Sequence, residues 1–345
     1  MAKKTDLRGL TLPALADLTR ELGADSYRSG QIARWVWQKG AASVAEMTDL
    51  PLGLRRRLDE IAEIPPVAIA DKLVSRDGTV KYLFSFADGE MVESVLMSYN
   101  YGFSACVSTQ AGCRMGCRIC ASGISGLSRD LSSGEIYAQV LGMQKDRGER
   151  VGHVVLMGSG EPLDNYDNSL TFINNITAPY GLNISERHIT LSTCGLVPRI
   201  MDLGGEKLAI TLAVSLHAPN DALRNRLTPI NKKYPLRLLM EACRAYIDLT
   251  GRRVTFEYAL INGVNDNPAL AAELAGLVKG MLCHINLIAV NPAPELGILP
   301  PARAGMAVFK SILEKKGVPV SVRRPLGGDI SAACGQLRNR ARRAL

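Results

Sequence analysis

Three stretches near the start of the chain, LTLPALADLTRELGA, RSGQIARWVWQKG and LPLGLRRRLDEIAE, carry apolar residues at helical spacing, with Gly and Pro between them. Apolar positions recurring every three to four residues mark one face of a helix, and Gly or Pro ends it. The pattern predicts a small helical accessory domain over residues 1–65, with Trp35 and Trp37 in its core. The run KYLFSFADGEMVESVLMSY then reads as a β-hairpin turning at Asp88-Gly89, within a linker over 66–98. From about residue 103 the pattern changes again. Short apolar runs (SACVST, HVVLMG, HITLST, AITLAVSL, VTFEYALI, HINLIAV and finally VPVSVRR) alternate with segments such as EIYAQVLGMQKD, LRLLMEACRAYI and PALAAELAGLVKG. Strands alternating with helices predict an α/β fold with a parallel sheet covered by helices, and an open or closed barrel is the leading form. This core is expected over 99–327, followed by a C-terminal segment over 328–345.

Composition narrows the class without naming a function. The 345 residues are 47% hydrophobic and 21% charged, an ordinary globular balance. No apolar run approaches the roughly 20 residues of a membrane helix, and MAKKTDLRGL lacks the apolar segment of a signal peptide. A soluble cytoplasmic protein is expected, monomeric by default, with no membrane partner. The net charge of +8 is spread over Arg55-Arg56-Arg57, Lys232-Lys233, Lys315-Lys316, Arg323-Arg324 and the basic tail. Each cluster alone reads as a solvated helix face. Together they tilt towards a polyanionic partner, RNA or DNA.

Eight cysteines in a reducing compartment point to ligands, catalysts or core residues rather than disulfides. Cys113, Cys117 and Cys120 form a C-x3-C-x2-C triplet. Structural zinc needs a fourth protein ligand, and an ordinary iron–sulfur cube uses four cysteines. Three ligands leave one iron of a cube open. The triplet follows the first strand of the alternating region. GSGEP (158–162), STCG (192–195), SLH (215–217) and NP (291–292) follow later strands. Active sites of α/β sheets gather at the carboxyl ends of strands, so these five segments converge on one rim.

The triplet resembles the signature of radical S-adenosylmethionine enzymes. CVSTQAGC, MGSGEPLDNYDN, SLHAPND, TPINKKYPL, GVNDN, HINLIAVNP and GDISAACGQL further resemble the RlmN/Cfr family of RNA adenine methyltransferases, and the N-terminal helices resemble that family's accessory domain. The resemblance implies a partial (β/α)6 radical-SAM barrel. It implies that Cys113, Cys117 and Cys120 bind a 4Fe–4S cluster, whose open iron holds S-adenosylmethionine for cleavage to a 5′-deoxyadenosyl radical. Gly160, Glu161, Ser192, Ser215, Leu216, His217 and Asn291 match cofactor-contacting positions, with Glu161 suited to accept from the methionine ammonium. His217 taken alone would read as structural. Cys334 matches the methyl-carrying cysteine, Cys106 its resolving partner and Glu93 a proton acceptor; without the resemblance Glu93 would read as an exposed strand carboxylate. Two S-adenosylmethionine molecules per turnover are implied, one giving the methyl to Cys334 and one the radical. An external electron donor such as flavodoxin is implied as well. Cys194, Cys243 and Cys283 match no functional position and read as small buried side chains.

The activity so implied is conversion of an adenosine in 23S ribosomal RNA, with transfer RNA an open second substrate, to 2-methyladenosine. The rival within the family is methylation at C8. Pro162 in GEPL resembles the C2 branch, whereas GEAL is common in the C8 branch. Outside the family, a zinc-containing RNA-binding protein would explain the charge and the triplet but not Cys334 or the rim, and an iron–sulfur electron carrier would not need a barrel.

Overall fold

The computed structural model describes residues 4–123, 126–291 and 298–332. The N-terminal unit runs β1 (Thr5–Asp6), α1 (Leu12–Glu21), α2 (Tyr27–Ala33), α3 (Leu52–Ile61) and β2 (Ala62–Glu63), with β1 and β2 paired in parallel. Thr11 caps α1, its Oγ1 accepting from the Ala14 amide. A π-helical turn over Arg34–Lys39 prolongs α2 until Gly40 ends it in the left-handed conformation. Trp37 is fully buried and its indole donates to the Arg8 carbonyl at 3.0 Å, while Trp35 is half-buried. The unit docks on the following region by polar ties as well as apolar packing. Tyr137 Oη donates to the Trp37 carbonyl, Ser133 Oγ to Gly9 and Asn175 Nδ2 to Leu10.

Three antiparallel strands come next, β3 (Ala68–Val74), β4 (Val80–Ser85) and β5 (Met91–Tyr99), and then β6 (Gly102–Cys106). The predicted hairpin turns where expected, with Gly89 at φ 84°. An additional exposed strand, β3, flanks it. A short ribbon, β7 (Gln110–Gly112) with β8 (Leu127–Asp130), leads into α4 (Ser133–Arg147). Ser132 and Glu135 close a capping box at the start of α4. Strands and helices then alternate: β9 (Val151–Leu156), α5 (Tyr166–Thr177), β10 (Ile189–Thr193), α6 (Val197–Gly205), β11 (Thr211–Ser215), α7 (Asp221–Leu227), α8 (Leu236–Thr250), β12 (Val254–Leu260), α9 (Pro268–Leu277), β13 (Cys283–Ala289), α10 (Arg303–Lys315) and β14 (Val320–Val322).

All the principal strands join one ten-stranded sheet in the order β14-β13-β12-β11-β10-β9-β6-β5-β4-β3. From β6 to β14 every pairing is parallel, and from β6 to β3 every pairing is antiparallel. The order is linear and its edge strands do not pair, so the expected barrel is open. The two faces of the sheet are chemically distinct because side chains alternate along a strand. Leu96, Ala105, Val154 and Leu156 pack into the main core with Ile136, Val140, Phe172 and Ile176 of the covering helices. Each fully buried aliphatic or aromatic side chain there contributes about 1.5–3 kcal/mol. Val95, Met97 and Cys106 point the other way, into a separate small cluster with Leu326 and Ala332. That second face is the lumen.

Candidate active site

The triplet sits on a loop whose base is the β7/β8 ribbon. Gly112 has φ 84°, and a Cβ there would lie 1.9 Å from the Gly126 carbonyl, so only glycine allows the two ends to meet. The Cys113 amide donates to that same carbonyl, and Cys120 and Gly123 turn tightly on Cys117 and Cys120. Cys113, Cys117 and Cys120 line a cavity of about 180 Å³ together with Gly160, Glu161, Ser192, Ser215, His217 and Asn291. The expected rim residues thus face one space, except Leu216. Its side chain is fully buried in the main core, and its amide donates to the Glu257 carbonyl.

The rim is held by close backbone approach. Cβ atoms at Gly158 or Gly160 would meet residues 107–110 at 2.6–2.8 Å, and this packing sets Glu161 in the cavity wall. Its carboxylate accepts from the amides of Cys194 at 2.7 Å and Leu163 at 3.1 Å, and among the described residues it has no ion pair. Burial raises its pKa. His217 adopts φ 57°, a strained conformation for a non-glycine residue. Its Nδ1 accepts from the Ala259 amide, and burial holds its pKa down to about 3, so the ring is neutral. Arg224, fully buried, ties the rim together by donating to the carbonyls of Cys194, Ser215 and Leu216 and to Asn231 Oδ1. Glu257, in the cavity wall, accepts both oxygens' bonds from Asn286 Nδ2.

These donors fit the group their motif implies. Cys113 is pushed up to about 12 by burial, and burial also raises Cys120, so each would release a proton on binding a metal. Among the described residues no three His, Cys, Asp or Glu side chains are gathered to chelate one ion. A cube needs only one thiolate per iron, so that spacing suits a cluster better than a single zinc. A buried carboxylate with no cation of its own suits a cationic ligand group. Cys194 is buried as expected, and it also lines the cavity and hydrogen-bonds Cys117, which lowers Cys117 and raises Cys194. Cys243 and Cys283 are buried in the core as expected.

Beside this cavity lies a smaller one of about 50 Å³ lined by Val95, Met97, Tyr99, Cys106, Leu326 and Ala332. Met157, Ile288, Asn291 and Arg323 wall both. Cys106 reaches it because Val95 pairs with Cys106 on one side and Lys81 on the other, so all three share the lumen face. Glu93, two residues from Val95, shares that face. It is 5% exposed, not an exposed strand carboxylate, and pairs with buried Lys81 at 3.2 Å. Lys81 also donates to the Ser331 carbonyl at 3.3 Å. Cys334 lies outside the described residues; Ala332, two positions before it, packs against Cys106. Lys81, Arg224 and Glu257 had drawn no notice in the sequence, where a lone charge on an apolar segment carries no signal of its partner.

Residues 107–275 match the radical SAM superfamily and residues 5–64 the ribosomal RNA large subunit methyltransferase N-terminal domain. A relative from Pelotomaculum thermopropionicum, "Probable dual-specificity RNA methyltransferase RlmN", is 61% identical over 98% of this chain and 92% of its own. The chain belongs to the RlmN family. A second RlmN relative, from Desulforamulus reducens, is 56% identical over 98% of this chain and 97% of its own. A crystal structure of a radical SAM methyltransferase from Sphaerobacter thermophilus superimposes with a TM-score of 0.92 at 44% identity, over 97% of this chain and 99% of that one. RlmN membership disfavours the zinc-protein, electron-carrier and C8 readings. No described helix is long and apolar enough to cross a membrane.

Proposed function

We propose that this RlmN-type radical SAM RNA methyltransferase converts an adenosine of 23S ribosomal RNA, and one in transfer RNA, to 2-methyladenosine by way of an S-methylated Cys334. The observation that carries the reading is the shared wall between two cavities: the triplet and Glu161 lie on one side, Cys106 on the other. Cys113, Cys117 and Cys120 would hold a 4Fe–4S cluster, which would supply one-electron reductive cleavage of S-adenosylmethionine when fed by a donor such as flavodoxin. Glu161, the Ser192 and Ser215 strand ends, His217 and Asn291 bind and orient that cosubstrate. Ile119 and Val290 keep water from it.

The Cys334 thiolate first takes a methyl from one S-adenosylmethionine by displacement at the sulfonium carbon, because an adenine C2 carbon is too weak a nucleophile. A 5′-deoxyadenosyl radical from a second S-adenosylmethionine would take one hydrogen atom from the S-methyl group; as that carbon bonds to the ring, Glu93 would receive the ring proton and the unpaired electron would return to the bound cluster. The Cys106 thiolate then attacks the Cys334 sulfur in line. The carbon–sulfur bond breaks with its electron pair passing to the product carbon, which is protonated to methyl as the disulfide forms. Ala332 beside Cys106 supports this pairing.

An anaerobic assay with reductant, S-adenosylmethionine and RNA tests the reading by mass spectrometry of the digested nucleosides. The product should co-elute with 2-methyladenosine; 8-methyladenosine would overturn the regiochemistry. Cys334→Ala should abolish both protein-bound methyl and RNA methylation. Cys106→Ala should trap a covalent protein–RNA adduct, and free product at the wild-type rate would remove its resolving role.

A further inference from the structure

At the end of the lumen opposite the cysteine rim, four rings gather as two stacked pairs that meet edge-on. Tyr99 ends β5 and Tyr101 lies in the turn to β6, their rings 4.9 Å apart and 8° from parallel. Tyr101 meets His153 edge-on at 4.7 Å, and His153 stacks on His188 at 4.2 Å. The register puts Tyr99 and His153 on the lumen face. Tyr99 pairs with Gly102 as Val95 pairs with Cys106, and His153 pairs with Ser104 one step below Val155 with Cys106. His188 ends the 3-10 turn that leads into β10 and joins the group by stacking on His153.

The group starts in the cavity that holds Cys106 and ends in solvent. Tyr99 lines that cavity with Arg323 and Arg324. Tyr101 is 63% exposed and His188 is exposed. Two imidazoles without a third ligand do not make a metal site. The Nδ1 of His153 is buried without a hydrogen-bond partner. Burial and the neighbouring His188 lower the His153 pKa, so its ring is neutral at pH 7 and stacks without charge repulsion. Flat aromatic and histidine rings with arginines beside them are the chemistry that unpaired RNA bases recognise. An enzyme acting on a base edge must take that base out of its stack and hold its neighbours.

We propose that Tyr99, Tyr101, His153 and His188 form a base-stacking platform at the lower mouth of the lumen, which receives an unpaired nucleotide flanking the target adenosine. The proposal rests on the RNA-methyltransferase reading above. From Tyr99 to Val95 is four residues of strand, about 13 Å, so a nucleotide on the platform leaves its neighbour within reach of Cys106. The partner is therefore a single-stranded loop rather than a duplex, whose stacked bases offer no free face.

The test titrates anaerobically purified holoenzyme into a synthetic RNA hairpin with 2-aminopurine beside an adenosine in its loop, and into a blunt RNA duplex. Wild-type enzyme should change the 2-aminopurine fluorescence as the base stacks. Tyr101→Ala and His188→Ala, both at exposed sites, should raise the hairpin Kd about tenfold and leave the duplex Kd unchanged. Tyr101→Phe should bind like wild type, since the ring does the stacking. Thermal melting of each variant checks its fold. Unchanged hairpin binding by Tyr101→Ala, or equal weakening of hairpin and duplex, would overturn the platform while leaving the methyltransferase reading intact. Wild-type enzyme that bound neither RNA would overturn the underlying reading, and the platform with it.

Discussion

The two cavities of the lumen are built by opposite means. The larger is made of loops at the carboxyl ends of parallel strands, each loop bringing its chemistry in a short local run: the triplet, GSGEP, STCG and SLH. The smaller is walled by Val95, Met97 and Cys106 of strand interiors together with Leu326 and Ala332, and Lys81 and Glu93 share its face only because β4, β5 and β6 pair in one register. Loops can change a ligand without disturbing the sheet, whereas a one-residue slip of β5 would turn Glu93 and Val95 out of the lumen. The larger cavity is thus placed by sequence-local turns, and the face that carries Glu93 and Cys106 by sheet pairing.

The largest expected effect separates the two halves. Cys117→Ser should yield colourless protein without iron or sulfide and without methylation, yet with its circular dichroism intact and RNA binding retained. Lost RNA binding would mean the halves are not independent. Lys81→Met should cost about 3–5 kcal/mol of stability in urea unfolding, because it removes the cation paired with the buried Glu93 carboxylate. The double variant Lys81→Met/Glu93→Leu should recover most of that loss; if it does not, Lys81 acts through the Ser331 contact rather than the ion pair. Glu161→Gln should weaken S-adenosylmethionine binding by about 1.5–3 kcal/mol, the worth of a charge-assisted hydrogen bond, as read by equilibrium dialysis. An unchanged affinity would assign the carboxylate to rim structure alone.

The smallest effect concerns how the C-terminal segment is tied beside the second cavity. Asp77 accepts from the Gly327 amide at 2.9 Å, and Asp329 accepts from Ser75 and the Arg76 amide. Partial burial pulls the Asp77 pKa up, but the bonds from Gly327, Thr79 and Ser75 outweigh it and hold the carboxyl at about 2, below its ordinary 3.8. Its stabilisation is therefore complete above the ordinary value and lost as pH falls through about 2. Asp77→Ala should cost about 1 kcal/mol at pH 7, discounted for exposure. The gap from wild type should close near pH 2 in urea titrations; a gap independent of pH would place the effect in packing.

Much of this was legible in the chain. The alternating runs located the strands of the sheet to within a few residues, since buried parallel strands must be apolar and their helices amphipathic. The triplet and Glu161 were legible because a turn that cradles a ligand needs its donors close in sequence. The burial of Cys194 was legible from its apolar neighbours, but its contact with Cys117 was not, because those neighbours do not say what it touches. Glu93, taken alone, looked like a surface carboxylate, because its counter-ion Lys81 is twelve positions away on another strand. Arg224 looked like any helix cation, yet it is fully buried against three carbonyls of the rim.

By itself the sequence determined the alternating α/β order, the N-terminal helices, the cysteine triplet and the family, all carried by short-range periodicity, spacing and motifs. Only the tertiary structure decided that the barrel stays open, that Lys81 and Glu93 are a buried pair on the same face as Cys106, and that four rings gather at the far mouth. Those depend on strand register and on which face each side chain takes. Both are fixed by pairings between distant segments, whose energy no local stretch of sequence contains.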